Sequence, residues 1–548
     1  MISPVAEPCL GFAVFSHDFL QQSDIEMRYS FLALALFVAQ FVIGPFSSTA
    51  LGQATEGYNT EVPAEILTPD RVETPIGTLK FFDGLPDEKT TELVYDYLDL
   101  NRGVQVFLNF IPAASLESLR VGTESIGALK SNQCVILEDL MDSNPFFLTG
   151  NTDTVYVSVF MNLKTDGPTV VEIPAKCGPG TVNDAFFRFV TDMGIPGPDR
   201  GKGGKYLILP PDDTSDLNPP VGGMEAKVDG QTYYVSKSTS YVNWLILRGF
   251  LVDGKPDVAT QMFKQGLKVY PLSRANNPPK MEFINASKKS FNTIHSNQFS
   301  FYEEIDHVIQ REPVSMLDPE LRGQASSIGI EKGKPFAPDA RMKKILTDSV
   351  AIGNATARSI WLRPRGDDVF LYPNSGWFTA FVGGDYQWLR DNGRGGRNLD
   401  ARSMFFYMAT VNTPAMAMKM VGKGSQYALC ATDAEKQYLI GDKNYRLRLP
   451  AGVPAKDFWS VVVYDPQTRS ELQTSQPFPS KNNKRDNLQT NADGSVDLHF
   501  GPKAPEGQED NWIETRPGKG WFTILRLYGP EQSWFDKSWR PGELQRVE

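Results

Sequence analysis

From residue 86 to about residue 110, apolar residues return every three or four positions, at Leu93, Val94, Tyr97, Leu98, Val104, Phe107 and Phe110. That spacing gathers them on one side of a 3.6-residue period and predicts helix. Between 144 and 250 the pattern changes to short β-branched and aromatic runs bounded by Gly and Pro, at 155–160, 169–173, 186–190, 206–209 and 244–250. These predict a strand-rich domain. Helical spacing returns over 256–362, where Val258, Met262, Phe263 and Leu267 are assigned to one face, and again near 401–421. A second strand-rich stretch runs over 445–528. Both β stretches share a local order: strand, proline, short loop, then an aromatic strand ending in Asp192 or Asp465. An antiparallel sheet needs a second layer to bury its apolar face, so the expected fold is α+β, with two β-sandwich, jelly-roll-like domains joined and flanked by helical segments.

The N-terminus carries a different signal. Met27-Arg28-Tyr29-Ser30 precedes an apolar run over 31–43, then Gly44-Pro45 and small residues as far as Gly52. A cationic start, a short apolar run and a small-residue exit, in that order, are the parts of a secretory signal peptide. Residues 27–52 are read as that peptide, with a buried internal helix as the alternative. Residues 1–26 hold four acidic residues and no Lys or Arg, which places the true start at Met27. The run is shorter than the ~20 residues of a membrane span. The expected location is periplasmic or secreted, with no stable membrane span after cleavage. The remaining boundaries are an N-terminal extension with helices at 53–120, a first β domain at 121–255, a helical middle segment at 256–430 and a second β domain at 431–548.

Composition narrows the function classes. The formal charge is −10, and removing residues 1–52 leaves it at −7 over 496 residues. Nucleic-acid affinity rests on clustered Lys and Arg, so no nucleic-acid partner is expected. Three cysteines follow residue 52, Cys134, Cys177 and Cys430, enough for one disulfide at most. His295, His307 and His499 lack the spacing that presents two imidazoles to one ion, so no metal and no cofactor are expected.

Gly150-Asn-Thr-Asp-Thr-Val-Tyr156, the strand Gly167-Pro-Thr-Val-Val-Glu-Ile-Pro174, and the segment from Gly197 through Gly201-Lys-Gly-Gly-Lys-Tyr206 resemble the domain of unknown function numbered 1254. Asp457-Phe-Trp-Ser-Val-Val-Val-Tyr-Asp465, Phe500-Gly-Pro502, and Pro517-Gly-Lys-Gly-Trp521 through Trp539-Arg-Pro541 resemble the companion domain numbered 1214. The resemblance implies an exported protein of two β-sandwich domains joined by helices. It implies no activity.

Function must come from the residues. Gly201-Lys-Gly-Gly-Lys205 precedes a strand, whereas a phosphate loop opens a helix, so it reads as a tight turn. Gly-x-Ser-x-Gly is absent. Alternation places Asp153 on the face of Val155, Val157 and Val159, at the head of an apolar surface where a carboxylate needs a partner. Turn capping is the alternative there. In a strand over 186–192, Phe186, Arg188, Val190 and Asp192 share one face, so Arg188 is placed to fork onto a carboxylate or sugar hydroxyls, or to pair with Asp192. The expected pocket lies in the first β domain, with Asp153 and Asp192 in acid/base roles and Asn151, Tyr156, Arg188, Tyr206, Tyr241 and Asn243 as ligand contacts. The expected function is binding or processing of a polar small molecule or glycan. The alternatives are an acid/base hydrolase and a structural or interaction protein of the cell envelope.

Overall fold

The computed structural model describes residues 62–548, in two units divided after Tyr95. The signal peptide at 27–52 and the start at Met27 lie outside the described residues. In the first unit, β1 (Arg71–Thr74), β2 (Gly77–Phe82) and β3 (Leu85–Pro86) form an antiparallel meander. Asp87 then accepts the backbone N–H of Thr90 at 2.7 Å and starts α1 (Glu88–Ser125).

In the second unit, Asp96–Glu548, eleven strands build the first sandwich: β4 (Gln133–Ile136), β5 (Thr154–Asn162), β6 (Thr169–Ile173), β7 (Gly180–Asp184), β8 (Phe189–Met193), β9 (Gly204–Leu209), β10 (Met224–Val228), β11 (Gln231–Lys237), β12 (Val242–Phe250), β13 (Lys268–Pro271) and β14 (Glu282–Asn285). They form a six-stranded sheet in the order β14-β4-β5-β12-β7-β8 and a five-stranded sheet in the order β10-β11-β9-β6-β13. The alternation of β5 works as its sequence requires. Val155, Val157, Val159 and Met161 face Val171, Ile173, Tyr206 and Ile208 of the other sheet, while Tyr156 turns outward opposite Arg248 of β12. The sandwich takes in β13 and β14 and so continues past residue 255.

The second sandwich uses β15 (Ser425–Cys430), β16 (Asn444–Leu449), β17 (Ala455–Tyr464), β18 (Ser480–Asn482), β19 (Val496–Gly501), β20 (Trp512–Glu514), β21 (Phe522–Pro530) and β22 (Gln545–Val547). Its sheets run β15-β21-β17-β18 and β20-β19-β16-β22. Between them Trp459, Val461, Leu525 and Leu527 pack on Leu447, Leu449, Leu498 and Phe500. The fold is therefore α+β with two sheet pairs, as the patterning required.

Within the first sandwich, α2 (Asp257–Gly266) links β12 to β13, and the two sandwiches are connected by α3 (Ser300–Arg311), α4 (Pro319–Ser326), α5 (Ala340–Leu362) and α6 (Leu399–Met408). Three begin on side-chain caps legible in the chain: Asp318, Asp339 and Asn398 accept the N–H of Leu321, Met342 and Ala401. One apolar cluster joins α1, α3, α5 and α6 to the outward faces of both inner sheets, from Val106 through Trp244 and Phe405 to Ile524.

Two details differ from expectation. Val258 is exposed, and Ala259 and Phe263, four positions apart, fill the buried side of α2 instead. The strand expected over 186–192 begins only at Phe189. The chain turns at 184–188, with Phe187 at φ 54°, and Val190 is a bulge, since Asn183 pairs with Phe189 and Val182 with Thr191. The extra residue re-phases the strand, so Val190 enters the sandwich core while Asp192 faces the other way beside Thr181.

Candidate functional site

The expected site residues fall into separate places. Asn151, Asp153 and Tyr156 stay together. Asn151 Oδ1 accepts the Asp153 N–H at 2.9 Å, and its Nδ2 donates to the Tyr156 hydroxyl. Asp153 precedes β5 and escapes its alternation. It reaches into the second sandwich, where Ser460 Oγ (2.5 Å), Asn482 Nδ2 (3.0 Å) and the Tyr528 hydroxyl (3.4 Å) donate to it. Asp192 accepts from Thr413 Oγ1 at 2.6 Å, and burial pushes its carboxyl up to about 6. Tyr156 on β5 and Asp192 on β8 are three strands apart, roughly 14 Å at ~4.8 Å per strand. Asp153 and Asp192 therefore do not form a carboxylate pair.

Three others serve the fold. The Tyr206 hydroxyl donates to Asp199 Oδ1 at 2.5 Å, and Asp199 also holds the N–H groups of Gly194 and Gly203, pinning the glycine loop ahead of β9. The Tyr241 hydroxyl donates to Asp212 at 3.0 Å. Asn243 accepts from Ser238 Oγ and donates to the Ser240 carbonyl, closing the turn into β12.

Arg188 alone stands in a ligand-sized cavity, of about 460 Å³. Its Nη1 donates to the Met316 carbonyl at 2.5 Å and its guanidinium lies over the Phe186 ring. Asp184 is 4.0 Å away, but its oxygens already accept the N–H groups of Phe186 and Arg188 and the Thr239 hydroxyl. Across the cavity, α6 presents Arg402 and, one turn on, Phe406, which stacks on Phe187 with centroids 5.5 Å apart. Arg402 is 7% exposed, and its Nη2 donates to Asn109 Oδ1, itself fixed by a 2.8 Å bond from Asn109 Nδ2 to Gln324. Among the described residues the Arg402 Nε has no partner. Exposed Arg397 completes the lining cations with Lys237, against Asp184, Asp318 and Glu320. Burial, then the like charges of Arg397 and Arg188, lower the Arg402 guanidinium to about 10. Phe187 and Trp388 hold the wall with positive φ, 54° and 56°, conformations uncommon for large side chains.

Arg397, Arg402 and Asn109 escaped the sequence reading. The available signal was Arg402 itself, a lone cation in the run Ala401 to Met408, every residue of which is buried. Among the described residues no group of three or more His, Cys, Asp or Glu is arranged to hold a metal ion. Cys134, Cys177 and Cys430 are buried free thiols. No described helix is long and apolar enough to cross a membrane.

Comparison with known proteins agrees with the division into sandwiches. The family described as Protein of unknown function (DUF1254) matches residues 131–271, from before β4 through β13. The family described as Protein of unknown function (DUF1214) matches 424–532, from before β15 through β21. No curated protein matches the chain. Among solved structures, the VPA0106 protein of Vibrio parahaemolyticus is similar at 16% identity and a TM-score of 0.48, covering 82% of this chain and 99% of its own. A protein from Burkholderia cenocepacia is similar at 11% identity and a TM-score of 0.37, covering 84% and 97%. Each matched segment falls within one sandwich, so the first sandwich is similar to DUF1254 and the second to DUF1214.

Proposed function

We propose that the protein binds a small organic anion with an aromatic body, in the pocket between the 184–188 turn and α6. One observation carries this reading: Arg188, Arg397 and Arg402 converge on an aromatic-walled cavity, with a buried guanidinium nitrogen left unpartnered. Guanidinium groups offer forked donors to a carboxylate or phosphate. The rings of Phe187, Trp388 and Phe406 offer the apolar contact that such a molecule needs, and the volume falls in the usual range of ~300–1,000 Å³ for small-molecule sites. This narrows a polar small molecule or glycan to an anion. The cationic start and apolar run of 27–52 support binding outside the cytoplasm, in the periplasm or beyond.

Isothermal titration with benzoate and phenyl phosphate, against neutral benzamide, tests the reading. At least one anion should bind about tenfold or more tighter than benzamide. Arg402→Met should abolish that difference without lowering the Tm, because the wild-type guanidinium is held at some expense of stability. Equal binding of benzamide, or full binding by Arg402→Met, would overturn it.

A further inference from the structure

Behind α6 lies a second cavity, of about 40 Å³, between the facing sheets of the two sandwiches. Phe405 and Met408 of α6 close this inner cavity, just as Arg402 and Phe406 close the outer one. Arg248 of β12 and Arg526 of β21 both line it, 6% and 4% exposed. Arg526 is partly satisfied, its Nη2 donating to the carbonyls of Thr149 (2.5 Å) and Gly150 (3.0 Å) and to the Tyr464 hydroxyl (2.6 Å). Arg248 lies over the Tyr156 ring, 5.6 Å from its centroid, and its Nε has no partner among the described residues. The Tyr427 hydroxyl in the same wall is also unpartnered.

Carboxyl groups surround the cavity without pairing to either guanidinium among the described residues. Asp153 is the carboxylate engaged here, through Ser460, Asn482 and Tyr528. Glu471 has neither oxygen hydrogen-bonded among the described residues; burial raises its carboxyl well above the ordinary range, against the pull of Arg526. Asp192 lines an adjoining cavity of about 10 Å³ that shares Ile246, Arg248, Val411 and Met416 with the first. Its carboxyl accepts from Thr413, and burial raises it to about 6. The tyrosines contribute dipoles only, since burial moves Tyr156, Tyr464 and Tyr528 further from ionisation. Neither Arg248 nor Arg526 has a hydrogen-bonded carboxylate partner among the described residues, and an uncompensated interior charge is costly. Thr149 (φ 40°) and Val411 (φ 70°), both β-branched, also line this cavity in left-handed conformations, strain of a kind that gathers at ligand clamps.

We infer that the inner cavity is an oxyanion site, in which Arg248, Arg526 and the Tyr427 hydroxyl hold a small carboxylate or inorganic oxyanion between the two domains. One water needs ~10–15 Å³ of such volume, so the space of about 40 Å³ holds about three or four water-sized atoms, enough for a small oxyanion and too little for a sugar. The site is separate from the outer pocket and does not depend on its ligand.

The full chain, dialysed exhaustively into chloride, would be melted with formate, nitrate or phosphate at constant ionic strength, and the anion released on denaturation measured by ion chromatography. Expected is a saturable Tm rise of several degrees with at least one oxyanion, or about one equivalent of retained oxyanion released. The formate and phosphate arms distinguish an organic carboxylate from an inorganic ion. Arg248→Met and Tyr427→Phe should weaken the response about tenfold, while Arg402→Met keeps it. If Arg248→Met fails to fold, Tyr427→Phe decides alone. No response beyond chloride with no anion released would overturn the inference. So would a response lost in Arg402→Met and kept in Tyr427→Phe, which would assign the anion to the outer pocket.

Discussion

Glu117 shows how burial and pairing compete at one residue. It is 1% exposed on α1, and burial alone would raise its carboxyl, but Arg120 and Arg311 each reach it at 2.7 Å and hold it down at about 2. A carboxyl lowered from 4.5 stabilises the fold above the unfolded value and loses that share as the pH falls from about 4.5 through about 2. The difference corresponds to about 3 kcal/mol. Glu117→Gln should therefore lower the Tm at pH 7, with the gap to wild type closing in acid. A gap that persists at pH 2 would show that the lost stability came from packing. Glu304 on α3 has the opposite sign. Burial raises it to about 8, so its stabilising share is complete below about 4.5 and is lost as the pH rises through about 8. Thermal melts at pH 5, 7 and 9 should show wild type falling relative to Glu304→Gln; parallel curves would refute the assignment. Residue chemistry was partly legible beforehand. The sequence pattern puts Arg188 on a strand face with Asp192; in the fold Arg188 lines the ligand-sized pocket and Asp192 does not. Arg402 was hidden because its partner Asn109, itself held by Gln324, lies far away in the chain.

Among the elements, α1 and α5 approach closely because each carries a glycine at the contact. A Cβ on Gly103 would meet Ser349 Oγ at 2.4 Å and its Cβ at 2.7 Å, and one on Gly353 would meet the Phe107 ring at 2.7 Å. Alanine is the better helix former by roughly 1 kcal/mol, yet overpacking costs typically ~1–3 kcal/mol. Gly103→Ala should destabilise, and Gly103→Ala with Ser349→Gly should recover much of the loss; urea melts of both would decide it. An unchanged midpoint for the single variant would mean that the two helices can part freely. Pro112 within α1 supplies no N–H to the Leu108 carbonyl, and the Ser403 hydroxyl of α6 donates to it instead at 3.4 Å. This draws α6 against α1 beside the Asn109–Arg402 bond and helps set the rear wall of the outer pocket. The caps on α4, α5 and α6 could be read from Asp318, Asp339 and Asn398. The bulge at Val190 could not, since nothing local distinguishes it from a regular strand residue.

Over the second unit as a whole, the two sandwiches share a polar seam as well as an apolar cluster. Asp153 takes donors from β17, β18 and β21, Arg526 takes the carbonyls of Thr149 and Gly150, and Arg485 donates to the Thr152 carbonyl at 3.1 Å. Helices and both inner sheets meet in one cluster. Residues 96–548 should therefore unfold in one calorimetric transition, with Asp153→Ala shifting the whole peak downward by about 3 kcal/mol or more, since it strands buried donors from three strands. Two resolved peaks, or an Asp153→Ala peak at the wild-type position, would show that the sandwiches melt independently.

The sequence alone determined the broad strand-rich and helical regions, which side of β5 is apolar, and that Gly201–Lys205 turns into a strand, because periodicity and turn residues act within a few positions; it missed β13 and β14 inside the stretch read as helical. The same local reading grouped Asp153, Arg188 and Asp192 into one site, and only the tertiary structure separated them. It placed Asp153 against the second sandwich, turned Asp192 across a bulge, and set Arg188 opposite an arginine more than two hundred residues away. Charge pairing and cavity formation depend on which distant surfaces meet, and those meetings are decided by the packing of sheet on sheet and helix on helix, to which no local pattern has access.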